Sequence, residues 1–270
     1  MLRKLLTGDS DPLLREAVAA LLGKLKDKGA EDPLILSLKD ESDDVRMAAV
    51  RALVKLESTR SENGLSELVR KQDFAKKSNL LEATVRALGK LKFKKPLPVL
   101  RARLKDEATH HEVKLVILLY LGDVKDDGSY DYLLKTARDD DARPQARAYA
   151  ANSLGRLGNK KAISPLRGIL KELRKEKNSR KKARYSQLKI QITAALIRLG
   201  DNSVYGELVS ASRDDDPAVR ARAVRQMGDM KLKKARELLC FKYRNDVSRK
   251  VRGAAKKAIY KIDGRKPNES

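Results

Sequence analysis

Apolar residues recur along this chain at three- and four-residue spacing, in blocks of roughly a dozen residues bounded by short polar runs. Between Val45 and Leu56, the residues Val45, Ala49, Ala52, Leu53 and Leu56 share one side of a helix. Leu97, Leu100 and Leu104 repeat the pattern on a shorter block, as do Ile163, Leu166, Ile169 and Leu170. The spacing predicts helices throughout and no sheet. No run approaches the ~18 apolar residues of a transmembrane helix, and the start, MLRKLLTGDSDPLL, is too short in apolar residues for a secretory signal.

The blocks are copies of one another. An acidic turn, an apolar residue followed by Arg or Lys, and Ala-rich spacing ending near Leu-Gly return as DESDDVRMAAVRALVKL at 40–56 and DDDPAVRARAVRQMGDM at 214–230. Weaker copies occupy 11–25, 79–91, 139–158 and 187–200 and begin at His111 and Arg249. The aligned register residues are Arg15, Arg46, Leu81, Lys114, Arg147, Lys189, Arg220 and Arg252. Successive steps are 31 to 35 residues, except for 42 between Arg147 and Lys189, which marks an insertion at about 171–187. Such a period belongs to stacked supersecondary units. Each copy reads as a short helix A and a longer helix B. Small residues at equivalent B positions (Ala49, Ala150, Ala223, Ala255) let neighbours approach closely. One pair cannot bury its own apolar face, so stacking must supply the core.

The Asp-rich turn, the Val-Arg step and the Ala-x-x-Ala-Leu-Gly ending resemble HEAT repeats, particularly the short subtype named after phycobilisome lyases. The resemblance runs from about Leu2 to Ile262. It implies an all-α, right-handed α-solenoid of about eight stacked helix pairs, forming a single domain over 1–262 with a polar tail at 263–270. It also implies a scaffold or adaptor, with B helices lining a concave surface. The first A helix is very short and the last B helix has no obvious capping repeat. Three readings stay open: a partner covering the ends, a longer parent chain, or a short first helix that suffices as it stands.

Charge adds a partner class. Lys plus Arg number 61 against 37 Asp plus Glu, a net +24. Helix dipoles and caps explain acidic turns before B helices and basic turns after them, but balanced caps would cancel. Five residues after the register position stand Arg51, Arg86, Arg225 and Lys257; nine after it stand Lys24, Lys55, Lys90, Arg156, Arg198 and Lys261. The two sets are four residues apart and share a helical face, which predicts a basic stripe along the B helices. The insertion adds Arg174, Lys175, Arg180, Lys181, Lys182 and Arg184, expected to extend helix A and then form a mobile basic loop.

Catalytic patterns are absent from the sequence. His110 and His111 are adjacent and cannot share a helical face, so a polar turn is expected rather than a metal site. Cys240 lies in the apolar stretch LLCFKY, read as a buried structural thiol. The Asp-rich turns lack the Gly and distal Glu of a calcium loop. No phosphate-cradling Gly loop or nucleophile elbow occurs. The expectation is a non-catalytic cytoplasmic scaffold without cofactor, binding an acidic protein partner through a basic concave groove and basic loops. Binding to a nucleic-acid backbone is the alternative. An alkylpurine-type HEAT-like DNA glycosylase is weakened by the absence of Trp, and a chromophore-lyase relative stands behind it.

Overall fold

Polar residues at the edges of the apolar blocks set the helix boundaries. Side chains of Asp11, Ser42, Ser78, His110, Asn178 and Asp216 accept backbone amides in the first turn of the helices they precede. The computed structural model describes residues 2–264, which contain sixteen α-helices and no strand. The tail expected at 263–270 lies outside the described residues from position 265 onward.

The helices form two compact units, Met1–Ser129 and Tyr130–Ser270. In the first, short A helices α1 (Leu2–Gly8), α3 (Glu31–Leu36), α5 (Glu62–Arg70) and α7 (Leu97–Lys105) alternate with longer B helices. These are α2 (Pro12–Leu25), α4 (Asp43–Leu56), α6 (Asn79–Leu91) and α8 (His111–Asp123). In the second, A helices α9 (Tyr130–Arg138), α11 (Ile163–Lys175), α13 (Tyr205–Ala211) and α15 (Arg236–Asn245) alternate with B helices α10 (Pro144–Leu157), α12 (Ser179–Arg198), α14 (Pro217–Asp229) and α16 (Arg249–Asp263). The eight expected helix pairs are thus present, four to a unit. Within each unit every B helix packs on the next, and each A helix leans on its own B helix.

The core is aliphatic. Val45, Ala49 and Leu53 on α4, and Ala221, Val224 and Met227 on α14, are fully or almost fully buried. The tightest approach is at the glycine of the repeated Leu-Gly ending. A Cβ added at Gly23, Gly155 or Gly228 would lie 2.7, 2.5 or 2.5 Å from the Cα of Ala52, Ala195 or Ala258 on the next B helix. Sequence reasoning assigned close approach to alanines such as Ala49 and Ala223, which are buried here. The glycine eight residues after the register position is the more demanding site.

Charged ladders tie the repeats together. Arg15 grips Asp40 through Nε and Nη2 at 2.8 and 2.9 Å, and Arg220 grips Asp246 at 3.0 and 2.9 Å. In both, Nη1 donates to two carbonyls of the turn before its own helix. The arginine belongs to one repeat and the aspartate to the next. Asp216, nearer to Arg220 in sequence, caps α14 by accepting the Ala218 amide at 2.7 Å. A second ladder runs from A helices: Arg3 to Asp27, Arg101 to Asp126, Arg167 to Asp201 and Arg236 to Asp263. Sequence reasoning missed it. Its signal is an acid directly after the left-handed residue that ends a B helix, as in Lys26-Asp27, Lys125-Asp126 and Gly200-Asp201.

Lysine holds several of those left-handed positions, with φ near +54° at Lys26 and +60° at Lys92. A Cβ there costs about 1 kcal/mol that glycine avoids, although glycine loses more entropy on folding. Lys26→Gly with Lys92→Gly is expected to raise the stability of the first unit by about 1 kcal/mol in total. Urea titration of the double variant checks this, and a lowered midpoint contradicts it.

The insertion is helical rather than a mobile loop. Helix α11 runs to Lys175, only Glu176, Lys177 and Asn178 break the path, and α12 then extends for twenty residues. Asn178 accepts the Lys181 amide at 3.1 Å, and the Arg, Lys and Ala residues that follow are good helix formers. Tyr185 on this extension faces Arg147, whose guanidinium lies 5.8 Å from the ring centre. Arg147 takes Asp140 of its own turn and the Ala137 carbonyl. An aromatic ring thus stands where Arg15 and Arg220 meet the next repeat's aspartate.

Candidate functional site

The stripe residues occupy B helices, whose core-facing sides are fixed by packing, and they leave each helix on a neighbouring face. In the first unit the structure brings four of them together. Arg51 and Lys55 on α4, and Arg86 and Lys90 on α6, line one groove of about 490 Å³. All four are exposed. The groove between them is lined by Val54 and Ala83, which are half-buried, over the buried Val50 and Ala87, so cationic walls flank a partly open apolar floor. Glu82 is the acid in this lining and lies 3.9 Å from Arg86. Met47 Sδ accepts from Arg51 at 3.3 Å. The site can hold a carboxylate-bearing chain whose apolar side chains reach the floor.

The second unit uses the same register positions differently. Arg156 on α10 and Arg198 on α12 are half-buried rather than free surface cations. Burial lowers the pKa of Arg156, with Asp229 opposing the shift. Burial lowers that of Arg198 to about 10, helped by the positive charge of Arg156 and opposed by Asp229. Nη2 of Arg198 donates to Gln226 Oε1 at 2.9 Å. Lys261 on α16 is exposed and pairs with Asp229. Asp229 stands nine residues after Arg220 and Asp123 nine after Lys114, where the other six repeats carry a cation, and so both interrupt the row. Arg225 and Lys257 are exposed on α14 and α16.

The insertion cations are also exposed, and part of their charge is matched. Arg174 meets Glu207 at 3.1 Å, Lys175 meets Glu172 at 2.9 Å, and Lys181 lies 3.9 Å from Glu176. Arg184 stacks near Tyr185, 5.8 Å from the ring centre, and Lys182 lines a cavity of about 330 Å³ between α12 and its neighbours. Arg180 is exposed on the same helix. Outside the stripe, His110 Nδ1 accepts the Glu112 amide at 3.3 Å and so serves as a helix cap. Cys240 is half-buried rather than fully enclosed.

A family model described as HEAT repeats matches residues 1–83 and 180–260, and one described as PBS lyase HEAT-like repeat matches 146–172. The chain belongs to the HEAT-repeat family. No curated protein matches its sequence. The HEAT-repeat chain is similar in fold to the complex of CpcE and CpcF of phycocyanin lyase from Nostoc sp. PCC7120, with 22% identity over 97% of this chain and 92% of that one, at a TM-score of 0.48. Human deoxyhypusine hydroxylase in complex with glycerol is 16% identical over 98% and 95%, at 0.40. An engineered protein is 17% identical over 97% and 78%, at 0.42.

These findings correct one expectation. A HEAT-repeat architecture and sparse catalytic motifs suggested a chain that is not an enzyme. The match to the PBS lyase HEAT-like repeat removes the ground for that exclusion. The fold is common to scaffolds and enzymes, so it does not divide them. None of the described helices is long and apolar enough to cross a membrane.

Proposed function

We propose that this HEAT-repeat protein binds an acidic protein segment in the groove between α4 and α6, with the basic α11–α12 hairpin as a second contact surface. The observation that carries the reading is the pairing of cationic walls with an apolar floor at Arg51, Lys55, Arg86 and Lys90. A nucleic-acid backbone offers charge but nothing apolar for Val54 and Ala83, half-buried apolar residues of the groove. An amphipathic acidic segment offers both. The net charge of +24 favours long-range attraction of any polyanion, so duplex DNA is expected to bind more weakly and with steep salt dependence.

Fluorescence anisotropy with three labelled probes tests this: a helical peptide with Glu and Leu on opposite faces, poly-glutamate of equal charge, and duplex DNA. The amphipathic peptide should bind tightest. Changing Arg51, Lys55, Arg86 and Lys90 together to Glu should weaken it about a hundredfold while leaving the fold intact. If about five phosphates are neutralised, the DNA log–log salt slope should lie near −4 to −5. Tightest binding to DNA would turn the reading to a nucleic-acid backbone. Unchanged peptide binding in the quadruple variant would remove the groove from it.

A further inference from the structure

At Arg46 the ladder of register arginines lacks a carboxylate from the next repeat. Arg15 and Arg220 each present Nε and Nη2 to an aspartate two residues before the next B-helix cap: Asp40 before Ser42, and Asp246 before Ser248. For Arg46 the next B helix is α6, capped by Ser78, and two residues before that cap stands Lys76. The acid of this longer turn, Asp73, accepts the amide of Ala75 at 2.9 Å. Arg46 otherwise keeps the ladder geometry. Its Nη1 donates to the carbonyls of Asp40 and Glu41. Its Nη2 turns back onto Asp43, a carboxylate 69% exposed on the first turn of its own helix. Its Nε is buried and has no partner within the protein.

Beside Arg46 lies a cavity of about 330 Å³, lined also by Lys39, Glu67, Lys71 and Gln72. Glu67 is already engaged there, 2.8 Å from Lys71 and 3.8 Å from Lys39. We infer that this cavity takes a carboxylate from outside the chain, gripped by Nε and Nη2 of Arg46 as Asp40 is gripped by Arg15. The incoming group displaces Asp43 from Nη2, which is a small loss because an exposed ion pair is weak. Two parallel N–H···O bonds to a planar guanidinium favour the planar, bidentate carboxylate. Lys39 and Lys71 add attraction at the mouth. The site lies on the turn edge and shares no residue with the α4–α6 groove, so each stands or falls without the other.

Arginine Nε–H NMR resonances of the full chain provide the test, with the Arg46 signal assigned by its loss in Arg46→Lys. Sodium acetate should move that signal saturably, and sodium chloride at equal ionic strength should not. The Arg15 and Arg220 signals, already bonded to Asp40 and Asp246, should stay in place. A glutamate-containing peptide saturating at tenfold lower concentration than acetate assigns the carboxylate to a partner's side chain; equal midpoints assign it to a free small carboxylate. An Arg46 signal that coincides with those of Arg15 and Arg220 before any addition means that Glu67 or another internal acid fills the role, and overturns the proposal. So does a signal that acetate and chloride move alike.

Discussion

Arg220→Ala is expected to lower the stability of the second unit by about 3 kcal/mol. This guanidinium donates four hydrogen bonds, two to the Asp246 carboxylate and two to the Asp214 and Asp215 carbonyls. Asp246 has a side chain only 3% exposed, so removing its main partner leaves a buried carboxylate held by Lys242 at 3.1 Å and the Ser248 amide at 3.0 Å. Burial works to raise the Asp246 pKa. Hydrogen bonds from Arg220, the Ser248 amide and Lys242 outweigh it and bring the value down to about 2. A carboxyl whose folded pKa is depressed contributes stability above its unfolded pKa, near 4, and loses it as pH falls toward 2. The native chain should therefore weaken across that window, and Asp246→Asn should flatten the dependence. Arg252→Ala should cost less, because Arg252 donates to the Asp246 and Val247 carbonyls and leaves the carboxylate paired. Urea melts of the three variants at pH 7 and pH 3 read all of this. Equal midpoints for Arg220→Ala and the native chain at pH 7 would remove the ladder as a source of stability.

Gly228→Ala should cost a comparable amount, about 2–3 kcal/mol, although it adds a single methyl group. The added Cβ would stand 2.5 Å from both the Cα and the Cβ of Ala258. Backbone cannot rotate away as a side-chain tip can, so α14 and α16 must separate along a contact that buries Val224, Met227 and Ile259. Gly206→Ala, where nothing lies within 4 Å of the added carbon, is the control and should be neutral or slightly stabilising. Thermal melts compare the pair. A Gly228→Ala midpoint equal to that of the control would mean that the helices already have slack.

The fold was legible because one period ran through the whole chain: the apolar spacing located the B helices, and the acidic turns located their starts. The ladder partners were less legible. Arg220 and Asp246 are 26 residues apart, and an aspartate nearer in sequence, Asp216, is equally plausible until the chain path shows that it caps its own helix. The insertion misled for a related reason. A dense run of Lys and Arg resembles a solvated loop, yet these residues also favour helix, and one Asn at 178 was enough to start one. The stripe was legible in position but not in character. Register spacing located Arg156 and Arg198 as surely as Arg51 and Lys55. It could not show that the first two are half-buried near Asp229 while the second two stay in water.

The division of the Arg15 and Arg220 rungs between two repeats also sets the rules for rebuilding the protein. A block cut out after the left-handed Lys26 or Lys231 carries Arg15 or Arg220 with it, but leaves that arginine's aspartate in the block that follows. A graft ending after Lys231 would preserve the register rung of Arg220 only if the next module offered an acid two residues before its own B-helix cap, as Asp246 does before Ser248. Modules of this chain are therefore not freely interchangeable bricks. Where such a rung joins two of them, one carries the plug and the next the socket, and the chain can be lengthened, shortened or shuffled there without loss only where the two kinds of end agree.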